Sequence, residues 1–172
     1  MNARYTTNAR NPGDVIGARR SRSDHSVFNL IDCADLDELH IPSGFKVVNI
    51  SGCPRLSQLA IPLGVEEVYL AGCAGLKKLL LPSSVKSLSL SGCNSLLDLD
   101  LPSGLTYLAV SHGTAIGEVR LPIGIKQAYF TRCSTLYRVV VSSESDIENL
   151  LFADCSELSQ LAIDCNVKIV SL

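Results

Sequence analysis

Apolar residues recur along this chain with a period of 20 residues, from about residue 25 onward. If each copy is numbered from 1 to 20, aliphatic or aromatic residues occupy positions 1, 4, 6, 12, 15 and 17. The most regular copies begin at residues 45, 65 and 85 and read FKVVNISGCPRLSQLAIPLG, VEEVYLAGCAGLKKLLLPSS and VKSLSLSGCNSLLDLDLPSG. A fixed repeat of this length indicates a solenoid, whose copies stack and bury each other's apolar faces.

The other copies follow the same pattern less strictly. Residues 25–44 are a degenerate copy, 105–124 keep the length, 125–146 are two residues longer, 147–166 are regular, and 167–172 are a partial copy. We therefore predict a flexible leader over residues 1–24 and one repeat domain over 25–172, with about 6.5 copies.

The spacing within each copy predicts its local structure. Positions 4 and 6 have the two-residue period of a strand, and Pro and Gly at positions 18 and 20 predict a turn. Each copy should be a coil of strand, turn, extended return and turn, and the stack should form a curved parallel sheet with an irregular convex side. Positions 12, 15 and 17 leave open a second strand.

Six of the seven cysteines fall on position 9 and should form a ladder: Cys33, Cys53, Cys73, Cys93, Cys133 and Cys155. Neighbouring rungs place parallel Cα–Cβ bonds about 4.8 Å apart, whereas a disulfide needs Cβ atoms about 3.8 Å apart and turned together. We predict buried thiols, which suit a reducing compartment. The ladder lacks the paired C-x-x-C spacing of zinc sites. Cys165 lies off the ladder and is predicted to be exposed.

Charge and hydropathy exclude several classes of function. The net charge is −2, and signs alternate along position 2, so no basic stripe for nucleic acid is predicted. Arg19, Arg20 and Arg22 are interpreted as part of the leader. No apolar block is long enough for a cleaved signal peptide or a bilayer span. The sequence predicts no cofactor, no metal and no membrane insertion.

The repeat resembles the leucine-rich repeats of bacterial type III secreted effectors of the IpaH kind. Residues 81–99, LPSSVKSLSLSGCNSLLDL, match LPxxLxxLxVxxNxLxxL, with Cys93 where those effectors carry Asn. The resemblance covers 25–172. It implies a leucine-rich-repeat solenoid whose strand face recruits a protein, and export from the bacterial cytoplasm into a host cell without a cleaved signal peptide. The departures are the Gly-Cys turn and LxLP in place of LPxLP.

A second bacterial class, the BspA-like cell-surface repeats, shares the Cys-x-x-Leu and IPxxV elements. Its repeats are longer and carry an AF motif that this chain lacks, so we favour the effectors. The IpaH resemblance also implies a separate ubiquitin-ligase domain, for which the chain leaves no room. Cys33-Ala34-Asp35 resembles the Cys-x-Asp motif of those ligases, but Cys33 belongs to the ladder. No catalytic residue is predicted.

Candidate binding residues follow from the strand pattern. Positions 3, 5 and 7 should point outward, and three of the five tyrosines fall there: Tyr69, Tyr107 and Tyr129. Tyrosine favours interfaces, although it also simply favours strands. Position 7 carries small residues. Position 8 is Gly in the regular copies but becomes His112, Arg132 and Asp154 in the next three. This trio should line one rim, either as part of a binding site or as a solvated, salt-bridged turn.

These features together predict a non-enzymatic module that binds a protein, in the favoured interpretation a host protein. One alternative is a self-associating or cell-surface repeat protein, in which the partial copy at the C-terminal end forms a homodimer. The other is a substrate-targeting fragment of a ubiquitin ligase. The identity of a partner lies in variable surface residues and cannot be derived from the repeat.

Overall fold

A computed structural model describes residues 26–163. The leader predicted over 1–24, with its arginine cluster, lies outside the described residues. So do Cys165 and the partial copy 167–172, on which the predicted homodimer depends. The described residues form seven stacked coils, here called rungs. Rungs 2 to 7 begin at residues 45, 65, 85, 105, 125 and 147.

Twelve short strands make up the regular structure of the described range, which contains no helix. Five-residue strands near the start of each rung are β1 (Val27–Ile31), β2 (Val47–Ser51), β4 (Glu67–Ala71), β6 (Ser87–Ser91), β7 (Tyr107–Ser111), β9 (Gln127–Thr131) and β11 (Asn149–Ala153). Shorter strands in the second half of the rungs are β3 (Gln58–Ala60), β5 (Lys78–Leu80), β8 (Glu118–Leu121), β10 (Arg138–Val141) and β12 (Gln160–Ile163).

The five-residue strands form one seven-stranded parallel sheet in the order β1-β2-β4-β6-β7-β9-β11. Its register keeps the repeat: Val48 pairs with Val68, and Val68 with Leu88. The insertion in rung 6 is absorbed outside the sheet, because Tyr129 still pairs with Leu151. In-register stacking makes each repeat position a column of equivalent side chains, which confirms the predicted parallel solenoid.

The shorter strands form a second side of the coil, which the spacing of positions 12, 15 and 17 had left open. It consists of a two-stranded sheet, β3-β5, and a three-stranded sheet, β8-β10-β12. Among the described residues, the Asp98–Asp100 segment of rung 4 pairs with neither β5 nor β8. Aspartate is disfavoured in strands, and two of them flank Leu99, so the second side is interrupted at this rung.

The core lies between the two sides and is built from the predicted columns. Positions 4, 6 and 12 are fully buried in rung 3 as Val68, Leu70 and Leu76. Where a column contains aromatic residues in adjacent rungs, their rings can stack. The rings of Phe130 and Phe152 do so, with centroids 5.3 Å apart. Two turns close the regular rungs, as rung 3 shows: Leu76 N donates to Cys73 O at 3.0 Å, and Val85 N donates to Pro82 O at 3.2 Å.

The cysteine ladder is present as thiols. Each of the six Sγ atoms contacts the carbonyl oxygen two residues earlier, as Cys53 does with Ser51 at 3.5 Å. Gly113 interrupts the ladder in rung 5, and the Thr114 hydroxyl lies beside the Cys133 thiol there. Cys155, in the last described rung, is half-buried rather than buried.

Candidate functional site

The strand face is the outer surface of the seven-stranded sheet and consists of positions 3, 5 and 7. The strands alternate buried positions 4 and 6 with these outward residues, as predicted. Among the 21 outward positions of the seven described strands, Glu67 carries the one charge. The other residues are small, hydroxylated, amide-bearing, aliphatic or aromatic. This surface can therefore be covered without desolvating a row of charges.

The three predicted tyrosines lie close together on this face. The rings of Tyr107 and Tyr129, from adjacent strands, have centroids 5.7 Å apart and planes tilted by 43°. Tyr69 is two strands from Tyr107, and 41% of it is exposed. Its hydroxyl donates to Glu67 Oε2 at 3.0 Å and lies within reach of the Ser87 hydroxyl. Tyr69 therefore leans toward Tyr107, and the three residues form a tyrosine band across rungs 3 to 6.

Hydrogen bonds orient two tyrosines of the band, Tyr69 and Tyr129, and the surroundings of Tyr69 also change its pKa. Partial burial, with the neighbouring Glu67 carboxylate, raises the pKa of Tyr69. The Tyr129 hydroxyl contacts Gln127 Oε1 at 3.4 Å. Tyr69 is thus a neutral hydrogen-bonding group near neutral pH, and the three rings provide apolar area. Their role in binding stays a prediction.

One rim of the strand face is formed by position 8, and the predicted trio meets there. Arg132 Nη1 lies 3.3 Å from His112 Nε2, and Arg132 Nε lies 3.6 Å from Asp154 Oδ2. All three side chains point away from the core. Because the guanidinium lies between the imidazole and the carboxylate, the carboxylate does not orient the imidazole as in a catalytic dyad. The contacts fit a polar rim.

Position 8 has a left-handed backbone in every rung that the structure describes. Gly72 has φ of 63°, and Arg132 has φ of 56°. Glycine adopts this conformation without steric cost, whereas other residues do so at a cost. Asp32, at φ 56°, is a fourth residue of this kind that the sequence analysis missed. Aligning the degenerate first copy at position 8 would have found it.

The opposite rim, position 2, is a ladder of ion pairs. Lys46 and Lys86 both contact the carboxylate of Glu66. The hydrogen bond and the charge of Lys46, with the charge of Lys86, lower the pKa of Glu66. Farther along, Lys126 pairs with Asp146 at 2.6 Å, which raises the pKa of Lys126 and lowers that of Asp146. Charged residues therefore border the strand face on both sides, along position 2 and at Asp32, Arg132 and Asp154 of position 8.

The second side of the coil has a different surface. Seven of the fourteen residues that flank position 15, which points toward the core, are charged: Glu38, Lys78, Asp98, Asp100, Glu118, Arg120 and Arg138. Exposed aliphatic residues are scattered between them, among them Leu80 and Leu97. A groove of about 550 Å³ crosses rungs 1 to 3 above Ala60, between His40 and Leu80. No sequence signal had singled out this groove.

One prediction about the strand face needs correction. Position 7 is not small throughout, because Ile31 occupies it in β1 and is 40% exposed. Glu67 and Ser87 had not been singled out, although both contact the Tyr69 hydroxyl. Their position-3 column was visible in the sequence, but the direction in which Tyr69 leans was not.

The ladder cysteines serve packing. Burial raises the pKa of Cys53 to about 12, and of Cys73, Cys93 and Cys133 to about 11. A thiol of this kind is neutral and a poor nucleophile at neutral pH. Cys33 is buried like the others, with Sγ 3.7 Å from Ile31 O, which supports a structural role for the Cys-x-Asp segment. Residues 26–163 hold no cluster of three or more His, Cys, Asp or Glu arranged to bind a metal.

The fold and the repeat columns define a leucine-rich-repeat solenoid. A family model described as the BspA type leucine-rich repeat region matches residues 24–127 and 65–171 with six copies. The chain therefore belongs to the BspA-type leucine-rich-repeat family. From the sequence we favoured the IpaH-like effectors over this class, because BspA-like repeats are expected to be longer and to carry an AF motif. The family match shows that these differences do not exclude the chain from the BspA type. The finer resemblance to type III effectors stays a prediction.

One solved structure supports the fold. A leucine-rich-repeat protein from T. pallidum is similar, with a TM-score of 0.63 and 18% identity over 94% of this chain and 84% of that one. A leucine-rich-repeat protein from Bacteroides ovatus matches at a TM-score of 0.36 and 14% identity, over 84% of this chain and 62% of that one. Comparison with curated proteins gives no match.

Within residues 26–163, no helix has the length and apolar character needed to cross a membrane.

Proposed function

We propose that this chain is a binding module that recognises a protein partner through its strand face. The observation that carries the proposal is the near absence of charge on that face, where Glu67 is the one charged residue among the 21 outward positions described. Protein interfaces have centres depleted of charged residues and enriched in tyrosine, surrounded by a polar rim. The second side, with half of its flanking positions charged, fits that description less well.

The geometry matches this anatomy in detail. The tyrosine band occupies the centre of the stack, where aromatic anchors contribute most to affinity. The ion pairs of Lys46, Glu66 and Lys86 border one side, and Arg132 with Asp154 borders the other. These rim contacts are exposed, so each contributes little to stability and remains available to a partner.

The size of the face indicates that the rims take part in binding. Seven strands about 4.8 Å apart and five residues long cover roughly 30 by 16 Å, or about 500 Å². A stable protein interface buries about 800 Å² on each partner. A partner that covers the strand face therefore extends over at least one rim, and His112, Arg132 and Asp154 border the half that carries Tyr107 and Tyr129.

A matched pair of charge insertions tests the proposal. Ser89→Arg places a charge at the centre of the strand face, whereas Gln58→Arg places the same charge on the second side. Partners are captured from bacterial and animal-cell lysates with the wild-type chain and both variants. We expect a protein that binds the wild type and Gln58→Arg but not Ser89→Arg, because covering the new charge costs desolvation energy.

Mapping the complex completes the test. Amide hydrogen exchange should slow at the strand face when the captured protein binds. Equal capture by both variants, or protection confined to β3, β5, β8 and β10, would contradict the proposal. Light scattering of the chain alone tests the self-association alternative. A stable dimer that Ser89→Arg does not disrupt would also contradict the proposed role of the strand face.

Delivery into a host cell stays a prediction from the sequence, as does action at the bacterial surface in the BspA-like alternative. We propose delivery into the reducing interior of a host cell, in line with the thiols of the ladder. Fractionation of the producing bacterium tests it: a protein retained in the cytoplasm under every growth condition would contradict it.

A further inference from the structure

We propose that the tyrosine band of Tyr69, Tyr107 and Tyr129 binds a proline-rich segment in the polyproline II conformation, running along the solenoid axis. The inference rests on the proposed function, since it names the chemistry of the partner at the same face. It follows from the spacing of the band, from the polar groups around it, and from the recognition modes that the sheet excludes.

The spacing of the rungs matches the repeat of a polyproline II helix. Tyr69 and Tyr107 belong to strands two rungs apart, which is about 9.6 Å at a strand spacing of about 4.8 Å. A polyproline II helix completes three residues in about 9.3 Å. A segment along the axis therefore presents an equivalent side chain every two rungs. One proline ring can pack between Tyr69 and Tyr107, above Ser89 of the intervening rung, whereas the rings of Tyr107 and Tyr129 contact each other.

The polar groups around the band suit such a ligand. A polyproline II segment has no internal hydrogen bonds, so its carbonyl oxygens need donors. The Ser87 hydroxyl lies beside the Tyr69 hydroxyl and can donate to such an oxygen, whereas the Tyr69 hydroxyl donates to Glu67. Gln127 contacts Tyr129 through Oε1, which leaves its amide N–H groups to donate. The lack of charge on the face, apart from Glu67, is complementary to a segment dominated by proline.

Two other modes of peptide recognition fit less well. Addition of a strand requires a free sheet edge, but the strands that carry the band, β4, β7 and β9, each pair on both sides. An amphipathic helix requires an apolar groove, but the residues between Tyr69 and Tyr129 in their column are Ser89 and Ala109. Aromatic surfaces that bind polyproline II need neither an edge nor a deep groove.

The test uses a neutral decamer of proline, blocked at both ends, as the probe for the full chain. Titration monitored by NMR should give saturable shifts confined to β4, β6, β7 and β9. Tyr107→Ala and Tyr129→Ala should each weaken binding about tenfold or more, as the loss of an aromatic anchor does. Tyr107→Phe and Tyr129→Phe should weaken it less, because they keep the ring and lose the hydroxyl.

The matched control is Tyr137→Ala. Tyr137 is as exposed as Tyr69, at 44%, but lies on the second side of the coil, so its removal should leave decaproline affinity unchanged. A blocked glycine–serine decamer should not bind. Each variant is first shown by amide spectra to keep the fold.

Three results would overturn the inference: no saturable binding of decaproline, binding that Tyr107→Ala leaves unchanged, or a neutral glucan oligosaccharide binding to the band while decaproline does not. If decaproline fails but capture of a protein partner still depends on Ser89, this inference fails alone. If Ser89→Arg has no effect on capture either, the proposed function fails with it.

Discussion

Arg132 and His112 occupy the same position in consecutive rungs, with Nη1 of Arg132 3.3 Å from Nε2 of His112. Arginine retains its protons, so His112 Nε2 accepts this hydrogen bond. Both residues also have a left-handed backbone, with φ of 56° and 54°. The contact at this rim thus forms between two residues whose backbone conformation favours glycine.

Replacing His112 by glycine should stabilise the fold. A non-glycine residue in the left-handed region costs about 1–2 kcal/mol, and replacement by glycine removes this cost. Glycine itself costs about 0.5–1 kcal/mol, because it loses more conformational entropy on folding. The exposed contact with Arg132 contributes little. We expect the free energy of unfolding in urea to rise by about 0.5–1 kcal/mol. Thr131→Gly, in an ordinary strand conformation, is the control and should lower it; a destabilised His112→Gly would refute the strain argument.

Gly75 should tolerate no side chain, for a different reason. A Cβ built on Gly75 would overlap the carbonyl oxygen of Pro54 in the preceding rung. Relief requires a shift of backbone, so Gly75→Ala should lower the free energy of unfolding by about 1–3 kcal/mol, in the range of overpacked cores. Ser95→Ala, at the same position in rung 4, should change it by less than about 0.5 kcal/mol. Similar urea midpoints for the two variants would show that the rungs readjust.

The ladder thiols predict a loss of stability at alkaline pH. Burial raises the pKa of Cys73 and Cys93 from 9.0 to about 11, so between these values the unfolded chain releases protons that the folded chain retains. Their contribution is fully present below pH 9 and is lost as the pH rises through about 11. Between pH 8 and pH 10 the urea midpoint should therefore fall more for the wild type than for the double variant Cys73→Ala/Cys93→Ala. Equal slopes would mean that the thiols are not desolvated.

The interruption of the second side at rung 4 should be repairable. Asp98 and Asp100 are exposed and flank the half-buried Leu99, and aspartate is disfavoured in strands where threonine is favoured. The double variant Asp98→Thr/Asp100→Thr should pair with β5 and β8, which would slow amide exchange across residues 98–100 by an order of magnitude or more. Asp35→Thr, on an exposed turn, is the control. Unchanged exchange in the double variant would place the cause in the backbone of rung 4 rather than in the two aspartates.

Much of the candidate site could be predicted once the period was known. The columns placed Tyr69, Tyr107 and Tyr129 outward and His112, Arg132 and Asp154 on one rim, and the structure shows both arrangements. The reason is the in-register parallel stack, which gives every residue at one repeat position the same orientation. Positions 7 and 8 of the degenerate first copy, Ile31 and Asp32, were not included in their columns. The exposed isoleucine and the fourth non-glycine residue at position 8 were therefore not predicted.

The sequence by itself determined the solenoid: its 20-residue period, its buried columns, its cysteine ladder and its outward strand positions. These depend on local strand geometry and on repetition, which a single chain displays along its length. Only the tertiary structure decided that Tyr69 leans toward Ser87, that Arg132 lies between His112 and Asp154, and that the second side breaks at Leu99. Those features depend on side-chain directions and on backbone pairing between neighbouring rungs. Both are set by contacts between residues about 20 apart in the sequence, which form only in the folded stack.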